Sequence, residues 1–189
     1  MSLALKEWHV VAEAIGRGDQ LVTIRKGGIA EKAFALAGAE FWLFPTWEHQ
    51  RAEQVKRAWH GELARSNRER RGDGRIPLRC HCTAVAAWEL TQGDALDALD
   101  GTHLWTRDYV TARLNWRPTK PLTVVLLRAS ALVEPTLVAA SDAYGGCRSW
   151  VELDDELPVG SVVPSLTDDA FALHAGAVHA ALGTPTVAV

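Results

Sequence analysis

The chain has 189 residues, 48% of them hydrophobic and 23% charged, with a formal net charge of −3. That is the balance of a soluble globular protein, and it excludes a disordered, collagen-like or low-complexity chain. A domain of this length buries about 70% of the surface its unfolded chain exposes, so it folds without disulfides or a structural metal. No run approaches the roughly 18 apolar residues of a membrane span, and residues 1–20 lack a secretory pattern. The expectation is one cytoplasmic domain over residues 1–189, with no membrane partner.

Leu5, Trp8, Val11, Ala12 and Ile15 recur at helical spacing, with Ser2 as a cap and Gly16 and Gly18 as stops, so the N-terminus reads as an amphipathic helix. Strands are predicted at Gln20–Lys26 and Glu40–Pro45. Thr46 then caps a long helix from Trp47 to Ser66, with Ala52, Val55, Trp59 and Leu63 on one side. The polar stretch 66–75 reads as a loop. Residues 76–91 alternate apolar and polar positions; sixteen residues exceed an ordinary strand, so a bend or bulge is expected. A short helix over Asp94–Leu99, a helix from the cap Thr106 to Trp116, strands at Leu122–Val133 and Ser149–Leu153, and a helix over Thr167–Leu182 complete the chain. Strands and helices do not alternate regularly, so the fold class is α+β. A central, mainly antiparallel sheet, flat or barrel-like, is flanked by helices.

Charge is unevenly placed. Residues 51–79 hold nine bases against four acids, whereas 134–189 hold Arg148 alone against eight acids. Arg65, Arg68, Arg70, Arg71 and Arg75 are the candidate contacts to a nucleic-acid backbone; a solvated, salt-bridged helix is the alternative. Cys80-His81-Cys82 looks like half a metal site. On a strand, however, the two thiols share one face and His81 takes the other, so buried free thiols are the simpler reading and no metal site is expected. Asp94, Asp97 and Asp100 read as a solvent face opposite Leu96 and Leu99. No motif names a cofactor.

Two diglycine clusters carry the most chemistry. In the first, Arg25 and Lys26 precede Gly27 and Gly28, whose positive φ would let backbone N–H groups cradle an anion. Glu48 and His49, placed in the first helical turn, are the candidate acid/base pair. In the second, Gly145 and Gly146 lead into Arg148 and Trp150, where arginine and tryptophan beside a flexible backbone suit a phosphate and a stacked base. Core packing of Trp150 is the alternative. Arg128 interrupts an apolar strand and needs an acid, a carbonyl or a ligand anion.

Five segments together resemble a known family: Ala4–Trp8, Arg25–Ile29, Phe41–Gln50, Lys120–Leu122 and Tyr144–Leu153. In that order they are similar to the bacterial family called domain of unknown function 1802, over residues 4–182. Some members are joined to a restriction-endonuclease-type domain. The resemblance therefore implies a role in restriction–modification or other DNA processing, with such a protein as partner; it transfers no catalytic residue.

Four functions follow, the last of them a purely structural role in which the tryptophans only fill a core or an interface. The first is a nucleic-acid-associated accessory domain with DNA or RNA as partner. The second is a nuclease, which is disfavoured because the residues two before the five lysines (Ala4, Ile24, Ala30, Gln54 and Pro118) are not acidic. The third is an enzyme or binding protein for a small phosphorylated ligand, which requires the two diglycine clusters to meet.

Overall fold

The computed structural model describes residues 1–27, 33–70 and 72–189. Among these the chain forms seven strands and four helices, in the order β1 (Ser2–Trp8), α1 (His9–Arg17), β2 (Val22–Arg25), β3 (Glu40–Thr46), α2 (His60–Arg68), β4 (Arg75–Leu90), α3 (Arg107–Asn115), β5 (Leu122–Ala139), β6 (Trp150–Leu153), β7 (Val162–Pro164) and α4 (Asp168–Leu182). The strand order is β2-β5-β4-β3-β1-β6, with β7 added on β5. The sheet is open rather than barrel-like. β1 and β3 run parallel, and every other pairing is antiparallel. Among the described residues no helix is long and apolar enough to cross a membrane.

β4 and β5 form the spine, a long antiparallel pair with register shifts at Leu78/Cys80 and Ala84/Ala86. The irregularity expected from the length of the strand therefore occurs at two places. One face packs Leu5, Leu43, Cys80, Cys82 and Trp88 against α1, with Val11 and Ile15 among the contacts; Cys80 and Cys82 are buried free thiols with sulfurs 3.7 Å apart. A smaller core on the opposite face joins Ala4, Trp42, Phe44, Leu78, Tyr144, Val151 and Leu153. Leu96 and Leu99 are buried while Asp94, Asp97 and Asp100 face solvent, although the segment forms turns instead of the expected helix. Thr106 caps α3 as expected, accepting from the Tyr109 N–H, and Thr167 caps α4, accepting from the Ala170 N–H.

Two expectations are corrected. The N-terminal helix is a strand over Ser2–Trp8 and becomes helical only at His9. Ala4 faces one core and Leu5 the other, so apolar residues fill both faces, as in a central strand, and the helical spacing of Leu5, Trp8 and Val11 is coincidental. The long helix from Trp47 is absent: residues 48–49 turn, two short 3₁₀ turns follow, and α2 begins only at His60. Tertiary bonds override the helical pattern there. The Trp47 indole donates to the Ser66 carbonyl, and Gln50 bonds Ser66 and Asn67 while accepting from the Val10 N–H at the start of α1. Because α2 continues to Arg68, the polar loop starts later than residue 66.

Candidate functional site

The chain leaves the sheet at the C-terminal end of β1, and the ends of several elements surround a cleft of about 880 Å³ there. β1 supplies Lys6, Glu7 and Trp8, β2 supplies Ile24 and Arg25, and the turn after β3 supplies Trp47, Glu48 and His49. Arg70 and Gly74 come from the α2–β4 connection, Arg75 from the start of β4, Tyr109, Arg113 and Trp116 from α3 and its end, and Tyr144 to Ser149 from the segment before β6.

Six basic side chains (Lys6, Arg25, Arg70, Arg75, Arg113 and Arg148) and two acidic ones (Glu7 and Glu48) line this cleft. Its walls thus carry a surplus of four positive charges in a protein whose net charge is −3. Arg25 is committed to the floor: its guanidinium donates to a Glu7 carboxylate oxygen at 2.9 Å and to the Lys6 carbonyl at 3.0 Å. Burial raises the Glu7 carboxyl above the usual carboxylate range, and the Arg25 guanidinium opposes that rise. Lys6 donates to the carbonyls of Gly145 and Gly146 at 3.2 and 3.1 Å, and burial together with Arg148 lowers its pKa. Arg70 is an exposed partner of Glu48 at 3.4 Å. The guanidinium groups of Arg75, Arg113 and Arg148 make no ion pair with a carboxylate among the described residues, although the Arg75 backbone N–H donates to Asp73.

Seven aromatic residues share the walls, among them four of the eight tryptophans. Trp8, Trp105 and Tyr109 form a cluster, with Trp105 edge-on to Trp8 at 4.9 Å and tilted against Tyr109 at 4.8 Å. The guanidinium of Arg113 lies 5.2 Å from the Trp116 ring centre. At the back, Gly27 has φ 83°, and a Cβ there would sit 2.9 Å from the Ala33 carbonyl carbon. Only glycine fits that turn without displacing backbone.

Arg25, Gly27, Glu48, His49, Gly145, Gly146 and Arg148 from the two diglycine clusters border this one cleft, together with Arg70 and Arg75. The condition that the clusters meet is satisfied. Glu48 and His49 do so from a turn and not from a helix start, with His49 at φ 66°. Other candidates lie elsewhere. Lys26 is 1% exposed and turned inward, its ammonium bonded to the Leu114 carbonyl. Arg128 pairs with Asp168 at 2.6 Å and covers the Phe171 ring, so an acid satisfies it and no ligand is needed. Trp150 packs between Phe34 and Phe41 and donates to the Ala35 carbonyl, the core reading. Arg65 is held on α2 by Glu62 and Glu69, and Arg68 is exposed on that helix. Gly28 and Arg71 lie outside the described residues. No group of three or more His, Cys, Asp or Glu able to hold a metal ion occurs among the described residues.

The sequence model of one family, described as a domain of unknown function (DUF1802), matches residues 4–176. The chain belongs to that family. No curated protein matches it. Among solved structures, the ASCH protein of Zymomonas mobilis is similar at 14% identity and a TM-score of 0.44, over 80% of this chain and 86% of that one. A single-substitution variant of it gives 14% and 0.45, over 80% and 88%.

Sequence reasoning missed Lys6, Glu7 and Trp8, because a helix was expected where β1 lies, and Tyr109, Arg113 and Trp116 on α3. A usable signal existed for the latter. Arg113 lies in the last turn of the capped helix α3 and Trp116 and Arg117 directly follow it, while the buried residues of that helix are only Val110 and Leu114.

Proposed function

We propose that this DUF1802 protein is a nucleic-acid-associated domain whose cleft binds a single-stranded segment. The observation that carries the reading is the coincidence of six cations and seven aromatic rings around one cavity of an otherwise acidic protein. Phosphates are met by Arg75 and Arg148 at the rim and by Lys6 beside the Gly145-Gly146 backbone. Arginine suits this task through its planar fork. Splayed bases stack on the aromatic walls, each worth about 1–3 kcal/mol. A duplex hides its base faces and cannot use those walls. Binding of labelled single-stranded RNA, single-stranded DNA and duplex DNA, each at low and high salt, tests the reading by fluorescence anisotropy. Single strands are expected to bind in a salt-sensitive way and duplex weakly; absence of binding to every strand refutes it.

A second reading, a small phosphorylated ligand handled by His49 and Glu48, is favoured by one observation. His49 holds φ 66° at the cleft wall, a conformation uncommon outside glycine and often retained where a side chain must be aimed. Competition of mononucleotides and inorganic phosphate against a labelled strand separates the two: displacement by phosphate alone at comparable concentration favours the second.

A further inference from the structure

The aromatic trio Trp8, Trp105 and Tyr109 is accompanied at the floor by two charged groups of opposite sign. Glu7 lines the cleft although it is only 4% exposed. One of its oxygens accepts from Arg25 at 2.9 Å, and the other is 3.5 Å from the Thr23 hydroxyl. A carboxylate has about four acceptor positions, so each oxygen keeps one for a ligand. Arg113 lines the same cleft, lies over Trp116, and makes no ion pair with a carboxylate among the described residues. The Tyr109 ring lies 6.5 Å from that of Trp8, the residue after Glu7, and Arg113 follows Tyr109 by about one turn of α3, which places the two charged groups in one neighbourhood.

A stacked base entering there meets an acceptor pair and a donor fork. Guanine has the complementary outline, two adjacent donors at N1 and N2 and two adjacent acceptors at O6 and N7. Adenine and cytosine present one amino donor beside a ring acceptor, whose lone pair would face the carboxylate. Uracil presents a lone N–H between two carbonyls. We propose that the floor of the cleft selects guanine, with Glu7 accepting from N1–H and N2–H and Arg113 donating to O6 and N7. This inference rests on the single-strand reading and names the base it prefers.

The test uses the full chain and fluorescein-labelled hexauridylate in which one central position is guanosine, adenosine, inosine or 7-deazaguanosine. Guanosine is expected to bind at least about tenfold tighter than adenosine, the range of a good two-bond base contact. Inosine lacks the N2 amine and 7-deazaguanosine lacks N7, and each is expected to lose several-fold. Glu7→Gln should shrink the preference for guanosine over adenosine several-fold without abolishing it, since the Arg113 contacts to O6 and N7 still discriminate. Should that variant lose its thermal transition, the four probes on wild-type protein decide alone. Equal, salt-sensitive binding of all four probes overturns guanine selection and leaves the single-strand reading standing. Binding of none overturns both.

Discussion

Replacing Arg148 with Ala is the most direct probe of the cleft. Arg148 stands at the rim beside Gly145, Gly146 and Cys147 and has no ion pair among the described residues, so its removal strands no buried carboxylate. If Lys6, Arg75 and Arg148 each neutralise one phosphate, log K should fall with log salt at a slope of about −2, since each contact on a single strand contributes about −0.7. Affinity then drops about 20-fold between roughly 50 and 200 mM salt. With two contacts left, the slope for Arg148→Ala becomes about −1.4, and binding at the lower salt weakens by about three- to tenfold. Arg65→Ala is the matched control, because Arg65 is occupied by Glu62 and Glu69 on α2 and does not line the cleft. Anisotropy titrations at four salt concentrations measure both slopes. A wild-type slope near zero, or one that Arg148→Ala leaves unchanged while Arg65→Ala lowers it, would refute the placement of phosphates in this cleft.

Three other expectations concern stability. Trp88 is 1% exposed, and its indole donates to the Gly183 carbonyl at 3.0 Å, tying the end of α4 to β4; Trp88→Ala should cost about 3–5 kcal/mol in urea unfolding, and a loss below about 1 kcal/mol would mean the ring is poorly packed. Gly27→Ala forces a Cβ toward backbone at positive φ and should cost about 1–3 kcal/mol, whereas an unchanged midpoint would show that the turn relaxes freely. Burial holds both His9 and His103 down to about 4 against an ordinary 6.5, so the folded state keeps them neutral while the unfolded chain takes up protons. Stability is therefore full above about pH 6.5 and falls as pH drops toward 4, by up to about 3 kcal/mol per histidine. Unfolding curves at several pH values, repeated on His9→Gln, should show a shallower fall for the variant; identical slopes would exclude His9 as a cause.

The long β4 strand with its irregularity, the two capped helices, the buried thiols and the acidic solvent face could all be read from local patterns, because each is decided within a few residues. The same holds for the charge imbalance: Arg70 and Arg75 do reach the cleft. What local pattern could not decide was competition with distant partners. Residues 2–8 satisfy helical and strand spacing equally well, and pairing with β3 and β6 on either side settles the matter. At 47–50 a good helix start loses to bonds with Ser66, Asn67 and Val10, contacts separated by 16 or more residues. The diglycine clusters were legible as turns with nearby cations. Which cations turn inward was not, since Lys26 and Arg128 are distinguished from Arg25 and Arg148 only by a carbonyl on α3 and an aspartate at the start of α4.

The position of β1 inside the sheet also bears on how the protein is made. β1 is flanked by β3, reached within about forty residues, and by β6, whose first residue is Trp150. Ala4 and Leu5 cannot acquire their second neighbour until Trp150 and Val151, about 145 residues further along, have been synthesised. During that interval one edge of β1 offers unpaired amides to any passing strand, a hazard that nascent chains meet with chaperones. The Lys6 bonds to Gly145 and Gly146 form in the same late step, so the cleft takes shape with the closing of the sheet and not before it.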